Sequence, residues 1–201
     1  MDTTVQGAET TIAPSATQPY WIFIIGDSKS ASPPYTWPLI LGQLNNPRAI
    51  INSAVSGAGV QTIVNNLSFI LSLSNFPGSP VILINLGTDD FSAFNINYGA
   101  TWIPVYLEIV DGVRIKWPLA TFYIARPWMI NNDANAVFAN TWINTIVASR
   151  SGLFLGPDEA VYYKGSDNGA SETVDGIHPS VLGETLIANA WQSVLLAAGM
   201  K

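Results

Sequence analysis

The sequence predicts an α/β fold built around a mostly parallel sheet of about five strands. Short runs rich in Val, Ile, Leu and Phe alternate along the chain with longer segments whose apolar residues recur at helical spacing. Strands that are apolar on both faces and are joined by helices form parallel sheets, whose crossover connections are right-handed. The 201 residues, of which 48% are apolar and 11% charged, are enough for one well-packed domain.

Each predicted element is bounded by a change of pattern or by Gly, Pro and Asn. Strands are predicted over about 20–26, 48–52, 81–86 and 119–125, with one more short strand within 153–164. Helices are predicted over about 36–44, 60–74, 100–117, 132–150 and 180–198. Residues 30–35 and 165–175 are expected to be loops. Residues 1–18, which show no period, are expected to be a tail, so that residues 19–201 form a single domain.

The composition of the chain narrows the possible functions. The net charge is −6 and no cluster of Lys and Arg is present, which argues against nucleic acid as a partner. No apolar run reaches the length of a membrane span, and the absence of cysteine excludes thiol catalysis and disulfides. No signal peptide is visible at the N-terminus. The compartment therefore stays open, with secretion after signal removal as one expectation for a soluble protein.

Four short motifs fall at predicted strand ends or just before the last helix. In a parallel sheet these positions lie along one edge, so residues far apart in sequence converge there. The motifs are Gly26-Asp27-Ser28, Ser56-Gly57, Gly87-Thr88-Asp89-Asp90 and Asp175-Gly176-Ile177-His178.

Ser28 is a candidate nucleophile because it lies directly after the apolar strand predicted over 20–26. A serine needs a base to take its proton at neutral pH, and His178 is the only histidine of the chain. Asp175 can bond the far ring nitrogen of His178 and fix its tautomer. Each residue also has a structural interpretation. Gly-Asp-Ser is an ordinary turn or helix cap, a lone histidine is often structural, and Asp175 precedes Gly176 as a turn residue would.

Taken in order, the four motifs resemble those of the SGNH hydrolases, also called GDSL-type esterases and lipases. The resemblance covers residues from about 20 to 198 and pairs Gly26-Asp27-Ser28 with the nucleophile motif and Gly57 with the glycine of the second motif. Gly87-Thr88-Asp89-Asp90 resembles the Gly-x-Asn-Asp motif, and Asp175-Gly176-Ile177-His178-Pro179 resembles the Asp-x-x-His motif. The resemblance implies a flavodoxin-like three-layer fold and an acyl-ester hydrolase with a triad of Ser28, His178 and Asp175. It also implies an oxyanion hole formed by the Ser28 amide, the Gly57 amide and the side chain at position 89.

Position 89 departs from the family pattern, which has asparagine there. The asparagine amide donates a hydrogen bond to the oxyanion, whereas an ionised aspartate only accepts and adds a negative charge. Three explanations compete. Asp89 is protonated and donates through its hydroxyl, or the chain is a weakened variant, or another donor serves, such as Asn95, Asn97 or a backbone amide. The sequence alone does not choose among them.

Lys29 and three aromatic residues are further candidates near the site. Lys29 is expected to be a solvated side chain on the first turn after the serine, with the alternative that its charge favours the oxyanion or an anionic substrate. Trp37 follows the nucleophile loop and Trp128 a strand end, so each is expected either to line a substrate pocket or to belong to the core. Phe91, in the loop after the third motif, is a candidate for the wall that contacts the acyl group. Four other tryptophans lie on apolar helical stripes and are predicted to be buried: Trp102, Trp117, Trp142 and Trp191.

The leading interpretation is a serine esterase that hydrolyses short-chain acyl esters of a small molecule or a carbohydrate, with carbohydrate O-acetyl groups as one candidate. Activity weakened by Asp89 belongs to this hypothesis. The alternative is a catalytically impaired module of the same fold that binds an acylated or glycan ligand in the same cleft. No metal and no cofactor are predicted, because the acidic residues match no calcium-binding loop and the only histidine is already assigned.

Overall fold

The structure is a computed structural model that describes residues 20–31, 36–45, 47–76, 78–94, 97–163 and 169–200. The predicted tail over residues 1–18 lies outside these ranges. In the described part of the chain, five strands form one sheet in the order β2-β1-β3-β4-β5, and every neighbouring pair is parallel. This order is that of the flavodoxin-like fold, which confirms the predicted fold class. The strands are β1 (Trp21–Gly26), β2 (Ala49–Asn52), β3 (Val81–Asn85), β4 (Thr121–Arg126) and β5 (Leu153–Asp158).

Helices cover both faces of the sheet and complete the three layers. The helices that pack together on one face are α2 (Trp37–Asn45) and α7 (Val181–Ala197). Those that pack side by side on the other face are α3 (Val60–Ser72), α4 (Gly99–Lys116) and α5 (Asp133–Ser149). The shorter helices are α1 (Ser28–Ala31), α6 (Glu159–Tyr163) and the 3₁₀ helix Thr88–Ala93. Within the described ranges, no helix has the length and apolar character needed to cross a membrane.

The central strands form the core, as their apolar runs predict. All residues of β3 are buried, and residues 22–25 of β1 have no exposed surface. Burying one such side chain contributes about 1.5–3 kcal/mol, so these two strands anchor the sheet. The prediction that four tryptophans are buried is also confirmed, since none is more than 7% exposed: Trp102, Trp117, Trp142 and Trp191.

Short helices are the elements that the sequence pattern misses. Ser30 and Ala31, which are expected in a loop, belong to α1, and the residues after Gly87 form the 3₁₀ helix. Helix α6 follows β5 directly. These helices contain four to six residues, which is too short for an apolar repeat to show helical spacing.

The strands β1 and β3 end side by side at one edge of the sheet, where Gly26 pairs with Asn85. A Cβ atom on Gly26 would lie 2.8 Å from the Asn85 carbonyl oxygen and 2.7 Å from Ser30 Oγ, so only glycine fits there without a shift. This close approach explains the glycine of the first motif. It also brings the first residues of α1 and of the 3₁₀ helix to the same edge.

Candidate active site

Asp27 fixes the start of α1 at this edge of the sheet. Its Oδ1 accepts a hydrogen bond from the Lys29 amide at 3.1 Å, and its Oδ2 accepts one from the Thr88 amide at 3.1 Å. The Asp27 amide donates to the Asn85 carbonyl oxygen at 3.2 Å. One buried carboxyl group therefore ties the helix that begins with Ser28 to the 3₁₀ helix that begins with Thr88.

Burial also controls the charge of Asp27, which is 1% exposed. Loss of solvent raises the pKa of its carboxyl group to about 7. The positive charge of Lys29 lowers this pKa, and the negative charges of Glu159 and Asp89 raise it. Asp27 therefore titrates near neutral pH, next to the candidate nucleophile.

A tight hairpin just before α7 presents Asp175 and His178. Thr173 and Pro179 form an antiparallel bridge that closes the hairpin. Ser180 then caps α7, because its side chain accepts a hydrogen bond from an amide of the first helical turn. The bridge and the cap hold both ends of the segment that carries the two side chains.

The structure brings the three predicted side chains together in one hydrogen-bonded chain. His178 Nε2 lies 3.0 Å from Ser28 Oγ, and His178 Nδ1 lies 2.7 Å from Asp175 Oδ2. Asp175 Oδ1 also accepts hydrogen bonds from the amides of Ile177 and His178, at 3.0 and 2.8 Å. These distances are within reach for a nucleophile, a base and an acid that orients the base.

Asp175 determines the tautomer of His178. Partial burial acts to raise the pKa of the Asp175 carboxyl group, but hydrogen bonds from the His178 ring and from the His178 and Ile177 amides outweigh it and bring the pKa to about 2. An ionised carboxylate only accepts, so His178 Nδ1 carries the proton and donates a hydrogen bond to Asp175. His178 Nε2 is then free to accept the proton of Ser28, which is the orientation that a general base requires.

Gly57 and Asp89 lie on two segments that Asp90 holds together. Gly57 lies between β2 and α3 with a φ of 72°, in the left-handed region that favours glycine. Asp90 Oδ2 accepts a hydrogen bond from the Val60 amide, at the start of α3, at 3.1 Å. Since Asp90 directly follows Asp89 in the 3₁₀ helix, this contact links the Gly57 loop to the turn that carries Asp89.

Asp89 keeps part of its surface in contact with solvent, and its charge interacts with the site. Partial loss of solvent raises the pKa of its carboxyl group, while the charges of protonated His178 and of Lys29 act in the opposite direction. A raised pKa keeps the carboxyl group protonated up to a higher pH, which is what the explanation of a protonated Asp89 that donates to the oxyanion requires. Of the alternative donors, Asn97 is exposed in the turn before α4, and Asn95 lies outside the described residues.

Lys29 is fully buried, which corrects the prediction of a solvated side chain. Its exposed fraction is 0%, and its Nζ donates to Glu159 Oε2 at 2.7 Å and to the Trp128 carbonyl oxygen. Glu159 is 3% exposed and also accepts a hydrogen bond from the Trp128 amide at 3.0 Å. The two charged residues are 130 positions apart, so no local pattern could reveal their contact.

Trp37, Phe91 and Trp128 do not form a substrate wall. Their exposed fractions are 0%, 1% and 0%, which leaves no side-chain surface for a ligand. Trp37 stacks on Trp191 with ring centroids 5.6 Å apart, and Trp128 Nε1 donates to Asp133 Oδ1 at 2.8 Å. The prediction that Phe91 contacts the acyl group is therefore wrong. Of the two interpretations offered for Trp37 and Trp128, burial in the core is the one that the structure shows.

Three buried carboxyl groups near the site are missing from the sequence prediction: Asp27, Glu159 and Glu184. Glu184, on the first turn of α7, is 4% exposed and accepts a hydrogen bond from the Trp37 amide, and burial raises its pKa to about 8. Asp27 belongs to a motif and could have been found, whereas Glu159 and Glu184 look like ordinary acids of a first helical turn. Among the described residues, no three acidic or histidine side chains are grouped so that they could hold a metal ion.

Comparisons with solved structures identify the fold. A member of the lipolytic protein G-D-S-L family from Veillonella parvula DSM 2008 matches with a TM-score of 0.72 and 16% identity, over 88% of this chain and 98% of that chain. The psychrotrophic esterase EstA from Pseudoalteromonas sp. matches with a TM-score of 0.71 and 16% identity, over 88% and 97%. A carbohydrate esterase family 3 protein from Talaromyces cellulolyticus matches with a TM-score of 0.69 and 17% identity, over 90% and 98%.

These matches show that the chain has the fold of the SGNH hydrolases, the class that includes the GDSL-type esterases and lipases. The match extends over most of this chain and nearly the whole of each of these three structures. Neither a scan against models of protein families nor a search of curated proteins finds a match. The fold therefore supports the family resemblance that the four sequence motifs predict.

Proposed function

We propose that this chain is a serine esterase of the SGNH type that hydrolyses short-chain acyl esters. The observation that carries the proposal is the chain of hydrogen bonds from Ser28 Oγ to His178 Nε2 at 3.0 Å and from His178 Nδ1 to Asp175 Oδ2 at 2.7 Å. The fold supports the same reaction class, because an esterase and a carbohydrate esterase are among its structural neighbours.

In the proposed reaction, Ser28 Oγ attacks the ester carbonyl carbon while its proton passes to His178 Nε2. The carbonyl oxygen becomes an oxyanion, which the amides of Ser28 and Gly57 stabilise. The bond to the alcohol then breaks, and the proton on Nε2 moves to the leaving oxygen. Water attacks the acyl-enzyme with His178 as base, and the proton returns to Ser28 as the acid product leaves. Asp175 stabilises the imidazolium in both halves of the reaction.

Asp89 takes the third oxyanion position in this proposal. When its carboxyl group is protonated it donates a hydrogen bond to the oxyanion. When it is ionised it places a negative charge beside another negative charge. The proposal therefore includes an esterase whose activity is weakened wherever Asp89 is ionised.

Short acyl groups are the proposed substrate class, with carbohydrate O-acetyl esters as the leading candidate. Because Trp37, Phe91 and Trp128 are buried, these aromatic side chains offer no apolar surface to a long acyl chain. The net charge of −6 disfavours anionic substrates. The carbohydrate esterase from Talaromyces cellulolyticus shares the fold and supports the carbohydrate candidate.

The central test is the substitution Ser28→Ala, followed by hydrolysis of p-nitrophenyl acetate. We expect turnover to fall by at least about 10⁴-fold, because the nucleophile is lost. The matched control is Ser193→Ala on α7, whose hydroxyl donates to the Asn189 carbonyl oxygen within the helix, and this variant should keep full activity. Unchanged turnover in Ser28→Ala would remove the assignment of the nucleophile.

A second candidate function is favoured by the aspartate at position 89, which fits a fold that binds an acylated or glycan ligand without turnover. A fluorophosphonate probe distinguishes the two functions, because it reacts only with an activated serine. Labelling at Ser28 that is lost in Ser28→Ala supports the esterase. Binding of an acetylated oligosaccharide without any labelling supports the binding module.

A further inference from the structure

Gly176 lies at the tip of the hairpin that carries Asp175 and His178. It is buried, and its φ of 86° falls in the left-handed region that favours glycine. The base of the hairpin is held by the bridge between Thr173 and Pro179 and by the cap of α7. The side chains of Asp175 and His178 are 49% and 37% exposed, so packing around them contributes little to their position. A contact at the tip is therefore important for where His178 lies.

Ile130 makes that contact at the tip of the hairpin. Its amide donates a hydrogen bond to the Gly176 carbonyl oxygen at 3.0 Å. A Cβ atom on Gly176 would overlap with Ile130 Cγ2 and would lie 3.6 Å from Ile130 Cβ. Among the described residues, leaving aside the chain neighbours of Gly176, no other residue would come within 4 Å of that Cβ. Both the backbone and the side chain of Ile130 thus hold Gly176.

The loop that carries Ile130 is also attached to the helix that begins with Ser28. This loop, residues 127–132, connects β4 to α5. The Trp128 carbonyl oxygen accepts a hydrogen bond from Lys29 Nζ, and Lys29 directly follows Ser28 in α1. Trp128 has no exposed surface, so this attachment lies in the interior. One loop therefore contacts the helix of the nucleophile and the hairpin of the base.

The two attachments of this loop are close together in the chain. Only Met129 separates the Trp128 carbonyl group from the Ile130 amide. The loop then turns sharply, because Asn131 has a φ of 59° and the Asn132 amide donates to the Met129 carbonyl oxygen at 3.2 Å. Asparagine tolerates this left-handed conformation better than most residues. A short connection between two fixed points leaves little freedom for the hairpin to move relative to α1.

We infer that Ile130 is a positioning residue, which holds the tip of the hairpin and thereby keeps His178 Nε2 within hydrogen-bond distance of Ser28 Oγ. The inference rests on the proposed esterase function. Ile130 acts through Gly176, two residues before the base, and takes no part in proton transfer. Misplacing a catalytic group by about 1 Å lowers a rate by about 10²-fold, so a contact of this kind is measurable in turnover.

The experiment exchanges the bulk between the two positions. It compares the parent, Gly176→Ala, Ile130→Ala and the double variant Gly176→Ala/Ile130→Ala. In Gly176→Ala the new methyl group overlaps with Ile130 Cγ2 and displaces the hairpin. In the double variant Cγ2 is absent, and the methyl group lies at the ordinary contact distance of 3.6 Å from the Cβ of residue 130. The second substitution should therefore rescue the first.

The first readout is kcat for p-nitrophenyl acetate per folded chain, with the folded fraction measured by urea unfolding. We expect kcat to fall by about 10²-fold in Gly176→Ala and by about tenfold in Ile130→Ala. The double variant should be at least about tenfold faster than Gly176→Ala. Independent losses, such as backbone strain at Gly176 alone, would multiply and make the double variant slower still. A double variant no faster than Gly176→Ala overturns the inference, as does unchanged kcat per folded chain in the single variants.

The second readout is hydrogen exchange of the residue 130 amide, measured by NMR, which requires no activity. We expect exchange at least about tenfold faster in Gly176→Ala than in the parent, and slower again in the double variant, because this amide donates to Gly176. An unchanged exchange rate in Gly176→Ala overturns the inference whether or not the chains are active. Absence of Ser28-dependent hydrolysis in the parent overturns instead the proposed function.

A second pair of variants serves if Gly176→Ala does not fold. Ile130→Val keeps the Cγ2 atom that contacts Gly176, whereas Ile130→Leu keeps the volume of the side chain and lacks that atom. We expect Val to keep kcat within about twofold and Leu to lower it by about tenfold, and equal kcat in the two variants overturns the inference. The matched control is Ile50→Ala, which removes the same atoms from a half-buried isoleucine of the edge strand β2 and should leave kcat per folded chain unchanged.

Discussion

The two sides of Ser28 hold their carboxyl groups in opposite ways. On the His178 side, the Asp175 side chain is 49% exposed and accepts hydrogen bonds from the His178 ring and from two backbone amides. These hydrogen bonds outweigh its partial burial and bring its pKa to about 2. On the oxyanion side, the pKa of Asp89 is raised, with partial burial as the main cause. Donors aimed at a carboxylate thus lower its pKa, and burial with fewer donors raises it.

The comparison teaches that the two halves of the site respond differently to pH. Asp175 stays ionised over the whole neutral range, so the orientation of His178 does not depend on pH there. The charge of Asp89 changes at higher pH than that of an ordinary aspartate, and stabilisation of an oxyanion should weaken as Asp89 ionises. The histidine half therefore resembles a complete catalytic site, whereas the oxyanion half depends on the protonation of Asp89.

The largest effect is expected from breaking the histidine half with Asp175→Asn. An asparagine amide can donate to His178 Nδ1 and thereby move the ring proton to Nε2, where it faces the Ser28 hydroxyl. We expect kcat for acetyl esters to fall by about 10⁴-fold. The tautomer of His178 can be checked in the same variant by NMR of the ring nitrogens.

A matched control for Asp175→Asn is Asp111→Asn, which changes an exposed aspartate on α4 in the same chemical way. It should leave kcat unchanged. A loss of less than about tenfold in Asp175→Asn would show that Asp175 is a turn residue and not the group that orients the base.

The next largest effect is expected from Asp89→Asn, which makes the oxyanion half resemble the family pattern. Above the pKa of Asp89, the variant should hydrolyse acetyl esters about 10²–10³ times faster than the parent, the size of one oxyanion donor. Below that pKa the protonated aspartate donates as well, so the ratio should shrink towards one. The measurement is the ratio of kcat/KM for the two chains between pH 5 and 9.

Taking the ratio removes every pH dependence that the two chains share. An asparagine variant that is no faster than the parent above neutral pH would mean that Asp89 does not weaken catalysis. The oxyanion half would then need another donor, and Asn97 would be the next residue to substitute.

The sequence predicted the histidine half of the site far better than the oxyanion half. Ser28 and His178 are 150 positions apart, yet both lie beside elements with clear boundaries, a buried strand and a long helix. The topology of a parallel sheet then brings such positions to one edge. The bounds of the long helices were predictable because long apolar repeats specify one type of element.

The residues that the sequence missed depend on contacts that no local pattern contains. Buried Lys29 contacts Glu159, the first residue of α6, and buried Trp37 stacks on Trp191 of α7. A lysine is almost never fully buried unless it is paired, and a tryptophan, although largely buried on average, is rarely buried completely. The burial of Lys29 and Trp37 depends on how the whole domain packs. For this reason the sequence analysis wrongly predicted a solvated Lys29 and left Trp37 open between a substrate pocket and the core.

The last prediction concerns stability instead of turnover: Glu184→Gln tests whether burial with a single hydrogen-bond donor raises the pKa of a carboxyl group, as partial burial does at Asp89. Glu184 accepts from the Trp37 amide, and burial raises its pKa to about 8 from an ordinary value of 4.5. A carboxyl group with a raised pKa in the folded state stabilises the fold below its ordinary pKa and loses this contribution as the pH rises through 8. Glutamine cannot ionise and can still accept from Trp37. The variant should therefore gain free energy of unfolding relative to the parent, by a few kcal/mol, between pH 5 and 9.

Urea unfolding of both chains at several pH values measures this difference. The control is Thr185→Ala on the exposed face of α7, which removes no ionisable group, so its difference from the parent should not change with pH. A constant difference for Glu184→Gln would mean that solvent reaches this carboxyl group. Burial would then not suffice to raise a carboxyl pKa at this end of the sheet, and the raised pKa of Asp89 would require a cause other than its partial burial.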